Sequence, residues 1–296
     1  MFWLGALLLL FAVYDLGHVG NKMPCGMHQW RQCDAYSMAL NYAMEPRGLF
    51  QPAIHFQHGA GGGEAVGEFP LTYFLNGKLW KAIGLQPWTL RWTHLALLLL
   101  GCWCLFRTLS QLVSPSSSLA LTWLTMGSGL MAFYGPNYLV NAASLGLVYV
   151  GWWEAYKWWQ TGCTVRKLQV LMVLAFSLAL LFRPTMVLGL IPPALAVFGT
   201  KQWWRWMVSL GIPVAVGAAW VVWAKWLNSQ NESVYFLTTI RPLWEAESVE
   251  ATWRAFREDV LPHWYHPYLI MLALIGLVAS IARPAIKPNG TDQWLA

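Results

Sequence analysis

The chain has 296 residues, of which 57% are hydrophobic and only 11% charged, and its mean hydropathy is +0.43. Soluble domains carry roughly 25% charged residues, so this chain cannot cover a globular surface with polar side chains. The net charge of +6 does not point to nucleic acid, because the 19 Lys and Arg residues are scattered between apolar runs rather than clustered. These numbers describe an integral membrane protein.

A membrane-spanning helix needs about 20 mostly apolar residues, and the charges mark where such segments lie. Residues 2–14 are apolar and Asp15 follows. Residues 92–106 are free of charge between Arg91 and Arg107. Residues 108–153 contain no charge at all, and Gly135-Pro136-Asn137 breaks that run in two. Residues 168–182, 184–200, 206–224 and 260–282 complete the set. The expectation is an all-α polytopic membrane protein forming a single integral membrane domain over residues 1–296, with about eight transmembrane helices.

Orientation follows from Lys and Arg in the short loops. With the N-terminus in the cytoplasm, the cytoplasmic turns hold Arg107, Lys157, Arg166, Lys167, Lys201, Arg205, Arg283 and Lys287. Two long loops, 18–87 and 226–267, then lie outside. Cys25 and Cys33 share the first of these and could pair in an oxidising compartment, or remain free thiols. With His28 they suggest zinc only weakly, since a fourth ligand is missing nearby.

The first outer loop is built of distinct parts. His28-Gln29-Trp30-Arg31-Gln32-Cys33-Asp34 runs into residues 35–44, where Tyr36, Leu40 and Ala43 make one helical stripe. Arg31, Asp34, Met38 and Asn41 make another face. This spacing predicts an amphipathic helix in the membrane interface with Asp34 on its polar side. Glu68-Phe69-Pro70 opens a second interfacial helix. Pro70 suits a first helical position, and Leu71, Leu75, Leu79 and Ala82 form an apolar stripe with Lys78 and Lys81 off it. Between them lies a glycine run at 59–63, usually a flexible connection, whose amides could also cradle a phosphate.

His28-x-Trp30-Arg31-Gln32-x-Asp34 after a first span, then Gly67-Glu68-Phe69-Pro70 before an interfacial helix, resembles the polytopic GT-C glycosyltransferases that use polyprenyl-phosphate sugars. Protein O-mannosyltransferases and lipid A aminoarabinose transferases belong to that class, and the bacterial branch is the nearer likeness. The turns Tyr134–Asn141 and Arg183-Pro184 support it. The resemblance implies an inverting transfer from a polyprenyl-phosphate sugar to a glycan, lipid or protein acceptor. It places the reaction on the extracytoplasmic face of a bacterial inner (plasma) membrane. Asp34 takes the position of the catalytic base. Glu68 takes that of a second carboxylate that assists with acceptor or metal. Relatives often carry Asp in the turn where this chain has Asn137 and Asn141, which weakens a metal site there. No cofactor is certain, and a divalent metal is left open.

The chemistry supports the same residues. A hydroxyl is a poor nucleophile until a positioned carboxylate accepts its proton. The leaving phosphate gathers negative charge that cations must meet, and Arg binds phosphate bidentately. Arg31 and Arg183 are the candidates, with Lys78 as a more diffuse attraction and Trp30, Gln32, His28, Asn137 and Asn141 as further substrate contacts. Bland alternatives exist for each: an i, i+3 pair of Arg31 with Asp34, a helix-dipole role for Glu68, and a snorkelling Arg183. His263 and His266 read as interface packing before the last span. The second outer loop, with Glu245, Glu247, Glu250, Glu258 and Asp259 beside Arg241, Arg254 and Arg257, is expected to cover the acceptor side, and Val249–Asp259 reads as a short mixed-charge helix. The rival functional class is a membrane transporter or lipid flippase, which needs broken or polar helices at the membrane midplane.

Overall fold

A computed structural model describes residues 11–55, 63–233 and 246–260, with residues 271, 274, 275 and 278 beyond them. Helices dominate the described residues, and their one β-bridge joins Ala53 to Glu64. In chain order the helices are α1 (Leu16–Val19), α2 (Gln29–Met44), α3 (Leu71–Ile83), α4 (Trp88–Leu109), α5 (Pro115–Met126), α6 (Gly129–Tyr134), α7 (Asn141–Gln160) and α8 (Arg166–Phe182). A 3₁₀ segment, Pro184–Leu190, leads to α9 (Ile191–Val197), then α10 (Trp203–Gln230) and α11 (Ala246–Ala255).

Two of these, α4 and α10, are long and apolar enough to cross a membrane. Among the described residues α8 is a continuous apolar helix of 17 residues, while the other expected spans are interrupted or carry charges for local reasons. Ser114 caps α5 through its hydroxyl at 3.2 Å from the Ser117 amide, with Pro115 behind it, and Ser128 caps α6 in the same way. The long uncharged run is therefore cut near 110–114 and 127–128 as well as at Gly135–Asn137. Pro184, Pro192 and Pro193 lie in the next apolar stretch, which divides into the 3₁₀ segment and the short α9. α7 has the length but carries Glu154 and Lys157. The expected spans at 2–14 and 260–282 lie largely outside the described residues.

The contacts set the direction of every long helix. At one end of α4, the Arg91 guanidinium donates to the Pro136 carbonyl at 2.7 Å. At the middle, Gly101 of α4 lies directly on the backbone of Gly146 of α7, where any side chain would collide. At the other end, Arg107 stands 5.1 Å over the Trp153 ring. α4 and α7 thus run parallel. α8 turns back along α7 with Phe176 against Gly151, and α10 runs beside α8, with Gln169 bonded to Ser209 and Leu180 against Gly217. The main apolar core joins α2 and α3 to α7 and α8 through Met38, Tyr42, Trp80, Tyr138, Val148 and Phe176.

One consequence is a sorting of residues by end. Asp34, Glu68, Arg91, Asn137 and Arg183 gather at one end of the bundle. Arg107, Lys157, Arg166, Lys201 and Arg205 belong to the other.

The two loop helices form as expected, but their faces are disposed differently from the expectation. α2 is packed on both faces: the one with Asp34, Met38 and Asn41 is buried, at 8%, 1% and 7% exposure, and so is Ala43 of the apolar stripe, whose Tyr36 and Leu40 are half-buried against the core. On α3 the stripe with Leu75 and Leu79 faces outward, while Thr72, Asn76, Gly77 and Trp80 pack inward. Gly77 explains the fit: it lies against the Ala39 carbonyl and Tyr42 of α2, so the two helix backbones touch. An outward apolar stripe beside inward polar groups suits a helix whose outer neighbour is hydrocarbon.

Candidate functional site

Asp34 sits in the second turn of α2, one turn beyond Arg31 on the same face. The turn before α2 is held by Gln32. Its amide nitrogen donates to the carbonyls of Cys25 at 2.8 Å and Met27 at 3.0 Å, while its buried Oε1 has no hydrogen-bond partner among the described residues. Gln32 therefore shapes the approach rather than reaching outward. His28, in left-handed conformation, begins the helix and tilts its ring 6.4 Å from that of Tyr134. Trp30 is 64% exposed and carries the Arg31 guanidinium 5.8 Å over its ring.

Glu68 is positioned by stitching on both sides. The Asn228 side chain of α10 accepts from the Val66 amide at 2.9 Å and donates to the Val66 carbonyl at 2.8 Å. Trp220 donates to the Gly67 carbonyl at 3.1 Å. The Phe69 amide donates to the Leu181 carbonyl at 3.0 Å, two residues before Arg183. Glu68 itself is buried and accepts from Arg31 at 3.3 Å. This ion pair joins the start of α2 to the start of α3, and the Phe69–Leu181 bond joins both to the end of α8.

Arg183 ends α8 in an extended backbone conformation and donates from Nε to Asn141 Oδ1 at 2.7 Å. Asn141, the first residue of α7, thus orients Arg183. Burial raises the Tyr134 phenol above its usual range, and the Arg183 and Arg31 guanidiniums close by pull it back down. Tyr134 accordingly lies in the field of both arginines. The structure pairs Arg31 with Glu68, with Asp34 one turn further along α2, and the Phe69–Leu181 bond sets that pair beside the end of α8, where Asn141 holds Arg183.

Two expected contacts lie elsewhere. Lys78 reaches the Arg47 carbonyl at 3.4 Å and stands 5.1 Å over the Phe74 ring. Asn137 is buried and closes its own turn, its Oδ1 accepting from the Leu139 amide at 3.0 Å. Its backbone carbonyl meets His94, whose other ring nitrogen faces Thr72 Oγ1 at 3.0 Å. His94, with Arg91 on the Pro136 and Met23 carbonyls and 4.4 Å from the Tyr138 ring, fixes the turn before α7 against α4. Sequence reading passed over Arg91, His94 and Asn228. Their signal was a polar residue inside or at the rim of an apolar helix, where it needs partners.

Among the described residues no donor set for a divalent cation is assembled. Glu68 is paired with Arg31, and no group of three His, Cys, Asp or Glu side chains gathers among the described residues. Cys25 and Cys33 are both exposed and free rather than bridged. Of the second outer loop, residues 234–245 and 261–267 lie outside the described residues, as do His263 and His266. The helix expected at Val249–Asp259 is present as α11 at Ala246–Ala255, continued by a wider turn, Phe256–Val260. It carries an exposed Arg254–Glu250 pair at 2.8 Å. Compared with family models, with curated proteins and with solved structures, the chain matches none of them.

Proposed function

We propose that the chain is an integral membrane glycosyltransferase of the bacterial inner membrane, moving a sugar from a polyprenyl-phosphate donor to an acceptor on the extracytoplasmic face. The observation that carries this reading is the Phe69–Leu181 backbone bond, which sets the Arg31–Glu68 pair beside the end of α8, where Asn141 holds Arg183. Two oriented guanidiniums beside a buried carboxylate at one end of an apolar bundle are what a phosphate leaving group and an attacking hydroxyl require. Ionisable groups kept at such a place are costly, and function is the usual reason.

In this reading the acceptor hydroxyl attacks the anomeric carbon from the face opposite the phosphate. The new carbon–oxygen bond forms as the bond from that carbon to the phosphate oxygen breaks. Asp34 receives the hydroxyl proton, and the polyprenyl phosphate leaves as an anion met by Arg183 and Arg31. A single displacement inverts the anomeric configuration. Glu68 acts as a positioning residue for Arg31, and Asn141 does the same for Arg183. The test is transfer by purified protein from a synthetic polyprenyl-phosphate sugar, with the product anomer read by NMR. Retention of configuration, or no transfer with any such donor, overturns the reading.

A further inference from the structure

At the end of the bundle opposite Asp34 lies a cavity of about 330 Å³, walled by α4, α7, α9 and α10. Leu105, Leu109, Trp152, Ala155, Pro193 and Trp206 form its main lining. Four polar side chains in these walls have partners of their own. Thr108 donates to the Cys104 carbonyl at 2.9 Å, Trp152 to the Gly189 carbonyl at 2.7 Å, and Trp206 to the Cys163 sulfur at 3.2 Å. The Tyr156 hydroxyl accepts from Gln160 at 2.8 Å. Sugars or nucleotides need convergent polar groups, whereas these walls are almost wholly apolar. The cavity suits a hydrocarbon chain.

Its surroundings are cationic. Arg107 precedes Thr108, Lys157 follows Tyr156, Arg205 precedes Trp206, and Lys201 lies in the turn before α10. Lys157 is paired with Glu154 at 2.6 Å, whereas Lys201 and Arg205 are exposed and form no ion pair among the described residues. A hydrocarbon slot beside unpaired cations matches one ligand class.

We infer that this cavity binds one acyl chain of an anionic glycerophospholipid, whose phosphate meets Lys201 and Arg205. The site lies at the far end of the helices from the proposed transfer site. It rests on membrane residence alone, so an inactive transferase leaves it standing.

Native mass spectrometry of the delipidated protein in detergent, with phosphatidylglycerol or phosphatidylcholine added, tests it. Wild type should retain phosphatidylglycerol in preference to phosphatidylcholine. Ala196→Trp, which places a ring into the cavity from an exposed position, should reduce phosphatidylglycerol retention by about tenfold, a change of about 1.4 kcal/mol in binding. The double variant Lys201→Gln, Arg205→Gln should retain both lipids alike. Because both its positions are exposed, it carries the test even where Ala196→Trp does not fold. Equal retention of the two lipids by wild type, unchanged retention by folded Ala196→Trp, or an unchanged preference in the double variant each overturns the assignment.

Discussion

Arg31 and Glu68 meet at 3.3 Å across 37 residues of sequence, one at the start of each loop helix. The pair is largely shielded, with the Arg31 side chain 18% and the Glu68 side chain 5% exposed. Losing one member leaves the other charge in a poorly hydrated place, so the cost exceeds that of a surface pair.

Glu68→Gln should therefore lower stability by about 1.5–3 kcal/mol, the range for a hydrogen bond to a charged group, and should reduce transfer. A double-mutant cycle with Arg31→Gln checks the linkage. Strictly additive losses in thermal unfolding would mean that the two side chains do not support one another.

Asp34→Asn keeps the shape of the side chain and removes the proton acceptor. The folded variant should transfer about 10²–10⁴-fold more slowly, the usual range for losing a general base. Near wild-type turnover with a wild-type unfolding profile would remove Asp34 from the proposed chemistry.

Arg183 offers a sharper contrast because Asn141 holds its Nε. Arg183→Lys keeps the charge but loses the planar fork, so donor KM should rise clearly, and further in Arg183→Ala. Asn141→Ala leaves the guanidinium present but unsteered and should raise donor KM less than either. Free exchange of Lys for Arg in a donor titration would instead indicate contact with lipid headgroups.

Asn228→Leu removes both bonds to Val66 and leaves that buried peptide group unpaired. The expected loss is about 1–3 kcal/mol, with slower transfer because the Glu68 segment loses its anchor on α10. Unchanged protection of the Val66 amide in hydrogen exchange would contradict that role.

Orientation is checked by single cysteines in a background without native ones. Position 30, where Trp30 is 64% exposed, should react with an impermeant reagent from outside intact cells. Position 116, near the start of α5, should react only after permeabilisation. The reverse pattern would invert the topology.

What could be read from the sequence was periodicity and sign. The apolar runs gave away a helical chain, the proline and glycine turns at Gly135–Asn137 and Arg183-Pro184 are where helices end, and the two loop helices occupy their expected stretches. The roles proposed for His28 through Asp34 and for Glu68 rest on residue type and spacing. Periodicity shows that two faces exist but not which one finds a neighbour. Only the close approach of Gly77 to Ala39 and Tyr42 decided that the Asp34 face turns inward and the leucines of α3 turn out. Likewise, no local pattern links Glu68 to Arg31, Leu181 to Phe69, or Asn228 to Val66. These pairs are distant in sequence, and buried polar groups choose partners by what the packed helices bring within reach. The same rule separates Asn141, which holds Arg183, from Asn137, which closes its own turn.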